Sequence, residues 1–251
     1  EVFEQPRSAE SMTRAIDLYQ QALSFDSDYA AAHAGLCNAY VWLYELDGGT
    51  DGIGQAEVAC AAALRSDSRL HMVYAALGDL YRKTGRLPEA EQAYKSALAI
   101  NAQDVQAMVG LASVYHQTQR FPEALELLNT AIDRQPGNWR TINSLGGILF
   151  YTGRYLEAAA QYRQVVLMDP ENFTARSNLG GALTMAAEFE EARQVFEEAL
   201  AIQPTQDRYS SLGVIYSFLG ECDNSVATHR QAVELAPGRG VAWVNLAVSL
   251  Q

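Results

Sequence analysis

The sequence predicts an all-α solenoid of stacked helix pairs, and three periodic patterns along its 251 residues support this prediction. Leucines recur at a spacing of 33 or 34 residues, and such a period is typical of a stacked helical repeat. A small residue follows each leucine, and a bulky residue comes three positions later. Apolar residues at this spacing mark the buried face of a first helix. The leucines are Leu77, Leu111, Leu145, Leu179, Leu212 and Leu246.

A second helix is predicted after each first helix and a short turn. Pro88 and Pro122 stand near the start of two second helices, where a missing N–H costs nothing. The buried face of the second helix carries an alanine, then a large residue, then an alanine or valine. Prolines after each second helix end it. The large residues are Tyr94, Leu128, Tyr162 and Phe196.

The period divides the chain into four segments. They are residues 1–29 (an N-terminal segment and half-repeat helix), 30–70 (a first repeat with an enlarged loop), 71–239 (five regular repeats) and 240–251 (a C-terminal half-repeat helix). The loop is expected because Leu36 and Leu77 are 41 residues apart and the excess falls in the glycine-rich residues 46–54. We interpret it as a tolerated insertion, with a partner-contacting loop as the alternative. The pattern stops at Gln251 in mid-repeat, so we expect a piece of a longer polypeptide.

Composition excludes several classes of function. A net charge of −12 makes nucleic acid an unlikely ligand, and without a long apolar run the chain is expected not to insert into a membrane. Cys37 and Cys60 lie in apolar helical stripes and Cys222 in a polar turn, so no disulfide framework is expected. The expected location is the cytoplasm, with the extracytoplasmic part of a membrane-anchored signalling protein as the alternative.

Enzymatic activity is not expected. The sequence contains no phosphate-binding glycine-rich loop, no Gly-x-Ser-x-Gly elbow, no His-Glu-x-x-His and no Cys-x-x-Cys. His116 is the histidine expected on the exposed face of a first helix, and a lone histidine is more often structural than catalytic. No cofactor and no metal site are predicted.

The segments "LGDLYRKTGRLPEAEQAYKSAL" and "LGGILFYTGRYLEAAAQYRQVVLMDP" resemble tetratricopeptide repeats, and this resemblance covers nearly the whole chain. It implies antiparallel helix pairs in a right-handed superhelix whose first helices line a concave groove. The opening "SAESMTRAIDLYQQALSFDSDYAAAHAGLCNAY" also resembles repeat regions attached to bacterial Ser/Thr kinases, nucleotide cyclases and winged-helix regulators.

We call equivalent positions in successive repeats a column. The groove implied by the resemblance is lined by first-helix residues that lie between the columns of buried residues. A mildly basic patch beside aromatic residues would suit a peptide with an acidic group and an apolar anchor. A groove that is merely solvated is the alternative. Met185 shares this face. The candidate binding residues are Asp79, Arg82, Lys83, His116, Arg140, Asn143, Phe150, Tyr151, Asn178 and Phe218.

Arg176 occupies a column that elsewhere holds large, mostly apolar residues. We interpret it as a packing residue whose methylenes lie along the helix interface while its guanidinium reaches an acidic group at the edge. Asp169 and Glu171 are the nearest candidates in sequence. A contact to a ligand is the alternative.

The predicted function is a protein-interaction scaffold, the sensing or partner-binding region of a larger bacterial signalling protein, which binds a peptide or protein segment in the groove. The alternatives are a stand-alone assembly adaptor and a sensor with a small molecule in the groove. Residues 240–250 place several apolar side chains on a helix without its own second helix. We expect either self-association through this helix or a parent chain that continues into the missing helix.

Overall fold

The computed structural model describes residues 9–47 and 50–251 and shows an all-α helical repeat solenoid. Fourteen helices and no strands are found within the described residues. The chain divides into two compact units, Glu1–Pro136 and Gly137–Gln251. Each unit has its own series of packed helices.

The first unit is a series of helices in which each packs on the next along the chain. First helices also contact each other, α2 with α4 and α4 with α6. Its apolar core runs between α1 and α4 through small side chains such as Ala34, Ala56 and Ala76. The helices are α1 (Ala9–Phe25), α2 (Ala30–Asp47), α3 (Thr50–Ser66), α4 (His71–Lys83), α5 (Leu87–Ile100), α6 (Val105–Gln117) and α7 (Phe121–Arg134).

The second unit repeats the same arrangement with three complete helix pairs and one further helix. Consecutive helices pack on each other from the first to the last. The helices are α8 (Trp139–Tyr151), α9 (Tyr155–Met168), α10 (Phe173–Met185), α11 (Phe189–Ile202), α12 (Gln206–Phe218), α13 (Cys222–Leu235) and α14 (Gly240–Ser249).

The enlarged loop expected at residues 46–54 is largely replaced by helix. Helix α2 continues to Asp47 and α3 begins at Thr50, while residues 48 and 49 lie outside the described part of the chain. The additional residues lengthen α2 to 18 and α3 to 17 residues, against 13 in α4 and 14 in α5. A Cβ at Gly52 would lie 3.2 Å from the carbonyl oxygen of Tyr40. Glycine therefore permits a close approach of α3 to α2, and this packing offsets its low helix propensity.

A glycine on the first helix faces an aromatic ring on the second helix in both units. In the first unit, the Tyr94 ring lies between Gly78 of its own pair and Gly110 of the next, and a Cβ at Gly78 would lie 2.6 Å from the ring. In the second unit, a Cβ at Gly146 would lie 2.7 Å from Tyr162 and one at Gly180 would lie 2.6 Å from Phe196. The glycines of the predicted small column therefore form the surface against which these rings pack.

Cys37 and Cys60 form a disulfide that joins α2 to α3, with their Cα atoms 5.2 Å apart. The expectation of no internal disulfide is therefore wrong for this pair, whereas Cys222 is free and exposed. Cys37 follows Leu36 as Gly78 follows its own leucine, and Cys60 stands in the column of Tyr94. The disulfide thus takes the place of the glycine–ring contact seen in pairs such as α4–α5 and α8–α9, and two facing columns bring the sulfurs together.

Arg176 is buried, with 7 % of its surface exposed. One guanidinium nitrogen lies 2.6 Å from a carboxylate oxygen of Glu198 on α11, and the other donates to the carbonyl oxygen of Pro170 at 2.8 Å. This geometry confirms the packing interpretation, although the carboxylate is that of Glu198 instead of Asp169 or Glu171. The partner comes from the following helix because the side chain crosses the interface that it packs in.

Substitution of adjacent glycines in α10 tests the packing of the rings. Gly180→Ala is expected to destabilise the protein by about 1–3 kcal/mol, because the new methyl group overlaps the Phe196 ring. Gly181→Ala is the matched control, since a Cβ there meets no atom within 4 Å and alanine favours helix by up to about 1 kcal/mol. Urea unfolding of both variants measures the difference. Equal stabilities would contradict the orientation of α10 towards the Phe196 ring.

Acid is expected to weaken the second unit through His229. This ring takes the aromatic position against Gly213, is 2 % exposed, and its Nδ1 has no hydrogen-bond partner among the described residues. Burial lowers its pKa, so the unfolded chain binds more protons and stability falls as the pH drops below about 6.5. His229→Phe removes this penalty. Its melting temperature should exceed that of the wild type by a margin that grows on going from about pH 7.5 to about pH 5.5; a constant margin would exclude a role for this ring.

Candidate functional site

The candidate binding residues divide between the two units. Asp79, Arg82, Lys83 and His116 lie on α4 and α6 of the first unit. The other six lie on the first helices α8, α10 and α12 of the second unit. Each set lies on the side of the first helices that is not covered by the buried columns.

In the first unit, Asp79 is the centre of a hydrogen-bond network. The Tyr94 hydroxyl donates to one carboxylate oxygen at 2.6 Å, and the Gln106 amide donates to the other at 3.0 Å. The Arg82 guanidinium donates to the Tyr94 hydroxyl at 3.3 Å and lies 3.5 Å from the carboxylate. Burial, and then the charge of Asp79, raise the pKa of Tyr94 well above its ordinary value, so its hydroxyl remains a donor. The network links α4, α5 and α6.

The charges of Arg82 and Lys83 are both balanced by neighbouring groups. Lys83 forms an ion pair with Glu45 of α2 and lies 5.9 Å from the centre of the Trp42 ring. Burial lowers the pKa of Lys83. The side chains of Arg82 and Lys83 are 17 % and 22 % exposed. Arg82 and Lys83 are therefore not free groove charges, as the expected basic patch would require. The partner of Arg82 is one turn away on α4, whereas the partner of Lys83 lies on α2 and cannot be seen from the column pattern of one repeat.

His116 is half-buried at the end of α6 and its ring centre lies 5.8 Å from that of Phe121. This contact joins the end of a first helix to the start of the second helix that follows. This packing contact is consistent with a structural role for His116.

In the second unit, the candidate polar residues contact one another across helices. The Asn178 amide on α10 donates to the Asn143 side-chain oxygen on α8 at 3.1 Å. The guanidinium of Arg140 lies 4.7 Å from the centre of the neighbouring Trp139 ring. Both asparagines are half-buried, so the pair forms a neutral hydrogen-bonded contact between α8 and α10.

Large apolar side chains lie exposed at one column of the second unit. Tyr151, Met185 and Phe218 each stand six positions after the leucine of their first helix, and they are 63 %, 53 % and 61 % exposed. We call these three residues the apolar ladder. Phe218 also stacks on Phe189 with ring centres 4.7 Å apart, and Phe150 beside the ladder meets Tyr155 edge-on at 5.4 Å. The three residues were expected on the groove face but not as one column, although their spacing of 34 and 33 residues was the available signal.

Two columns of the face that carries the apolar ladder hold no charged residue, whereas Arg140 of α8 and Asp207 of α12 stand near the N-terminal ends of their helices. The columns two positions before and two positions after the leucine hold only asparagine, serine, glycine and valine in α8, α10 and α12. The equivalent face of the first unit carries Asp79 and Lys83. In the second unit, the column two positions before the leucine holds Asn143, Ser177 and Ser210. The column two positions after it holds Gly147, Gly181 and Val214.

The described residues offer exposed surfaces for contact. Within residues 9–47 and 50–251, no group of three or more histidine, cysteine, aspartate or glutamate side chains is placed to hold a metal ion. None of the helices in this described part combines the length and the apolar character that a bilayer span requires.

The fold and the exposed first-helix faces define a helical-repeat protein of the solenoid class. Three models of the tetratricopeptide repeat match residues 81–145, 145–207 and 207–239, which together span more than half of the chain. The chain belongs to the tetratricopeptide repeat family. Comparison with curated protein sequences gave no match.

Solved structures with the same fold include YrrB, described as a TPR protein with an unusual peptide-binding site; it is 20 % identical, with 74 % of this chain and 96 % of that chain covered and a TM-score of 0.63. PilF of Pseudomonas aeruginosa is 18 % identical over 86 % of this chain and 97 % of its own, with a TM-score of 0.66. The APC/C hetero-tetramer Cut9–Hcn1 gives 13 % identity over 96 % of this chain and 46 % of the matched chain, with a TM-score of 0.71. At these identities the similarity shows the fold alone.

Proposed function

We propose that this chain is a protein-interaction scaffold that binds a peptide segment on the first-helix face of its second unit. The observation that supports it best is the apolar ladder, in which Tyr151, Met185 and Phe218 expose large apolar surface at one repeated position. Aromatic and methionine side chains are enriched at protein interfaces, and an exposed apolar patch of this kind marks an interaction site. The solenoid fold presents such faces as extended binding surfaces.

The chemistry of the ladder face selects the partner. The two uncharged columns beside the ladder gain little from an acidic or basic peptide, so the segment that fits best there carries apolar side chains and few charges. The side chains of Asn143 and Asn178 supply hydrogen-bonding groups for a peptide backbone.

The similarity to solved structures agrees with this proposal. YrrB is described as having a peptide-binding site, and Cut9–Hcn1 is a complex of proteins. We further propose that the chain is the partner-binding region of a larger bacterial signalling protein, with a stand-alone assembly adaptor as the alternative. This proposal draws on the resemblance of residues 8–40 to repeat regions attached to signalling domains.

The disulfide favours one of the two expected locations. Disulfides persist in oxidising compartments and are rare in the cytosol. We therefore propose the extracytoplasmic alternative, on the evidence of the Cys37–Cys60 bond.

Selection from a random peptide display library tests the ladder face. Peptides enriched on the wild type should carry apolar residues and little charge. Their affinity should fall about tenfold or more on Met185→Glu, because a carboxylate would be placed in the middle of the apolar contact.

The matched control is Leu167→Glu, which changes a 78 % exposed leucine on the second helix α9 to the same residue. This variant should bind the selected peptides as the wild type does. Enrichment of acidic peptides, or equal binding to Met185→Glu, would locate the binding surface on another face.

We also propose self-association of the chain through α14. Val241, Val244 and Val248 are 68 %, 61 % and 64 % exposed on this helix and form an apolar patch. The indole N–H of Trp243 donates to the Pro237 carbonyl oxygen at 2.9 Å, which holds that ring against the preceding turn. An exposed apolar patch of this kind marks an interaction site, and a second copy presents the same patch.

Val244→Glu is expected to shift a self-associated wild type to the monomer, since it introduces a charge into the apolar contact. Size-exclusion chromatography with light scattering measures the mass, and Leu167→Glu again serves as the control. A wild type that is monomeric at every concentration tested would contradict the self-association.

A further inference from the structure

A cavity lies outside the first-helix faces, among α1, α2 and α3 of the first unit. Its volume is about 380 Å³, which falls within the usual range for small-molecule sites. Leu23 of α1, Leu36 and Tyr40 of α2 and Val58 of α3 give it apolar walls. The walls leave room because α3 places Gly54 there, where a Cβ would meet no atom within 4 Å.

A polar cavity of about 410 Å³ adjoins this apolar one, since His33 and Ala62 line both. Asp28 and Arg65 also line the polar cavity. Neither of these two charged side chains has an ion-pair or hydrogen-bond partner among the residues described. One free anion and one free cation therefore stand at the polar end of an apolar pocket.

His33 adds a hydrogen-bond acceptor at the junction of the two cavities. Its Nε2 lies 2.9 Å from the carbonyl oxygen of Ser27, and because a carbonyl only accepts, this nitrogen carries the hydrogen. In the neutral ring, Nδ1 is then left with a lone pair. The polar end thus offers a donor in Arg65 and two acceptors in Asp28 and His33.

We propose that this cavity binds a free α-amino acid with a large apolar side chain. The carboxylate of the ligand pairs with Arg65, its ammonium group pairs with Asp28 and donates to His33, and its side chain fills the apolar part. A fatty acid or an amine would satisfy only one of the two charges. The site is separate from the apolar ladder, so it supplies a small-molecule site in addition to the peptide-binding face.

Isothermal titration calorimetry with L-phenylalanine tests the proposal on the wild-type chain. Two analogues dissect the head group, 3-phenylpropionate without the ammonium and 2-phenylethylamine without the carboxylate. Alanine tests the need for an apolar side chain. Phenylalanine is expected to bind, and each of the other compounds should bind about tenfold or more weakly, as expected for loss of a charged hydrogen bond or of the apolar contact.

Three variants locate the site. Arg65→Gln should weaken phenylalanine binding about tenfold or more. Gly54→Leu should abolish it by filling the apolar cavity, and this variant should remain folded because the added Cβ meets no atom and leucine favours helix. Arg69→Gln is the matched control, because it removes the same charge from an exposed position outside both cavities and should leave binding unchanged.

Absence of binding to the folded wild type would overturn the proposal, as would unchanged binding to Gly54→Leu. Equal binding of 3-phenylpropionate and phenylalanine would also overturn it, because the ligand would then be a simple carboxylate. Each of these outcomes is independent of whether the apolar ladder binds a peptide.

Discussion

The contact between a small residue on the first helix and a large side chain, most often a ring, on the second helix is the constraint on which the stack depends. A glycine lets the two backbones approach until the ring lies against the first helix, and the ring then fills the space that a side chain would take. This contact determines the environment of both faces of the first helix. Once this side is fixed against its partner, the opposite side has no helix to cover it within the pair and faces outward. The exposed position of the apolar ladder thus follows from where the glycines stand.

The first repeat meets the same constraint by covalent means. Cys37 and Cys60 occupy the positions of the glycine and the ring, and their bond holds α2 on α3 where no ring is present. The columns and the helix faces were predictable from the period alone. The disulfide was not, because a cysteine in an apolar stripe has the size and polarity of an ordinary small core residue. Aligning the first repeat with the second after removing its seven additional residues would have placed the two cysteines in facing columns.

Other differences between prediction and structure also arise from specific contacts that the periodic pattern does not contain. Glycines near residue 52 favour a loop by local propensity, but the close approach of α3 to α2 favours a residue without a Cβ, and the segment is helical. Arg82 and Lys83 stand on the predicted face, yet Asp79 and Glu45 neutralise them. Asp79 lies one turn before Arg82 on α4, whereas Glu45 reaches Lys83 through the packing of α2 on α4. A periodic sequence therefore predicts which residues share a face, but leaves open which of their charges are free.

Tyr94 has a consequence for how the first unit unfolds. Its ring touches Gly78 in its own helix pair and Gly110 in the next, and its hydroxyl bonds to Asp79, which also accepts from Gln106 of the next pair. One side chain therefore contributes both to the internal stability of a repeat and to the interface with its neighbour. In a linear array, the size of the interface energy decides how many repeats open together. Tyr94 contacts both of the pairs α4–α5 and α6–α7. We therefore expect these two pairs to unfold together when fraying from either end of the unit reaches them.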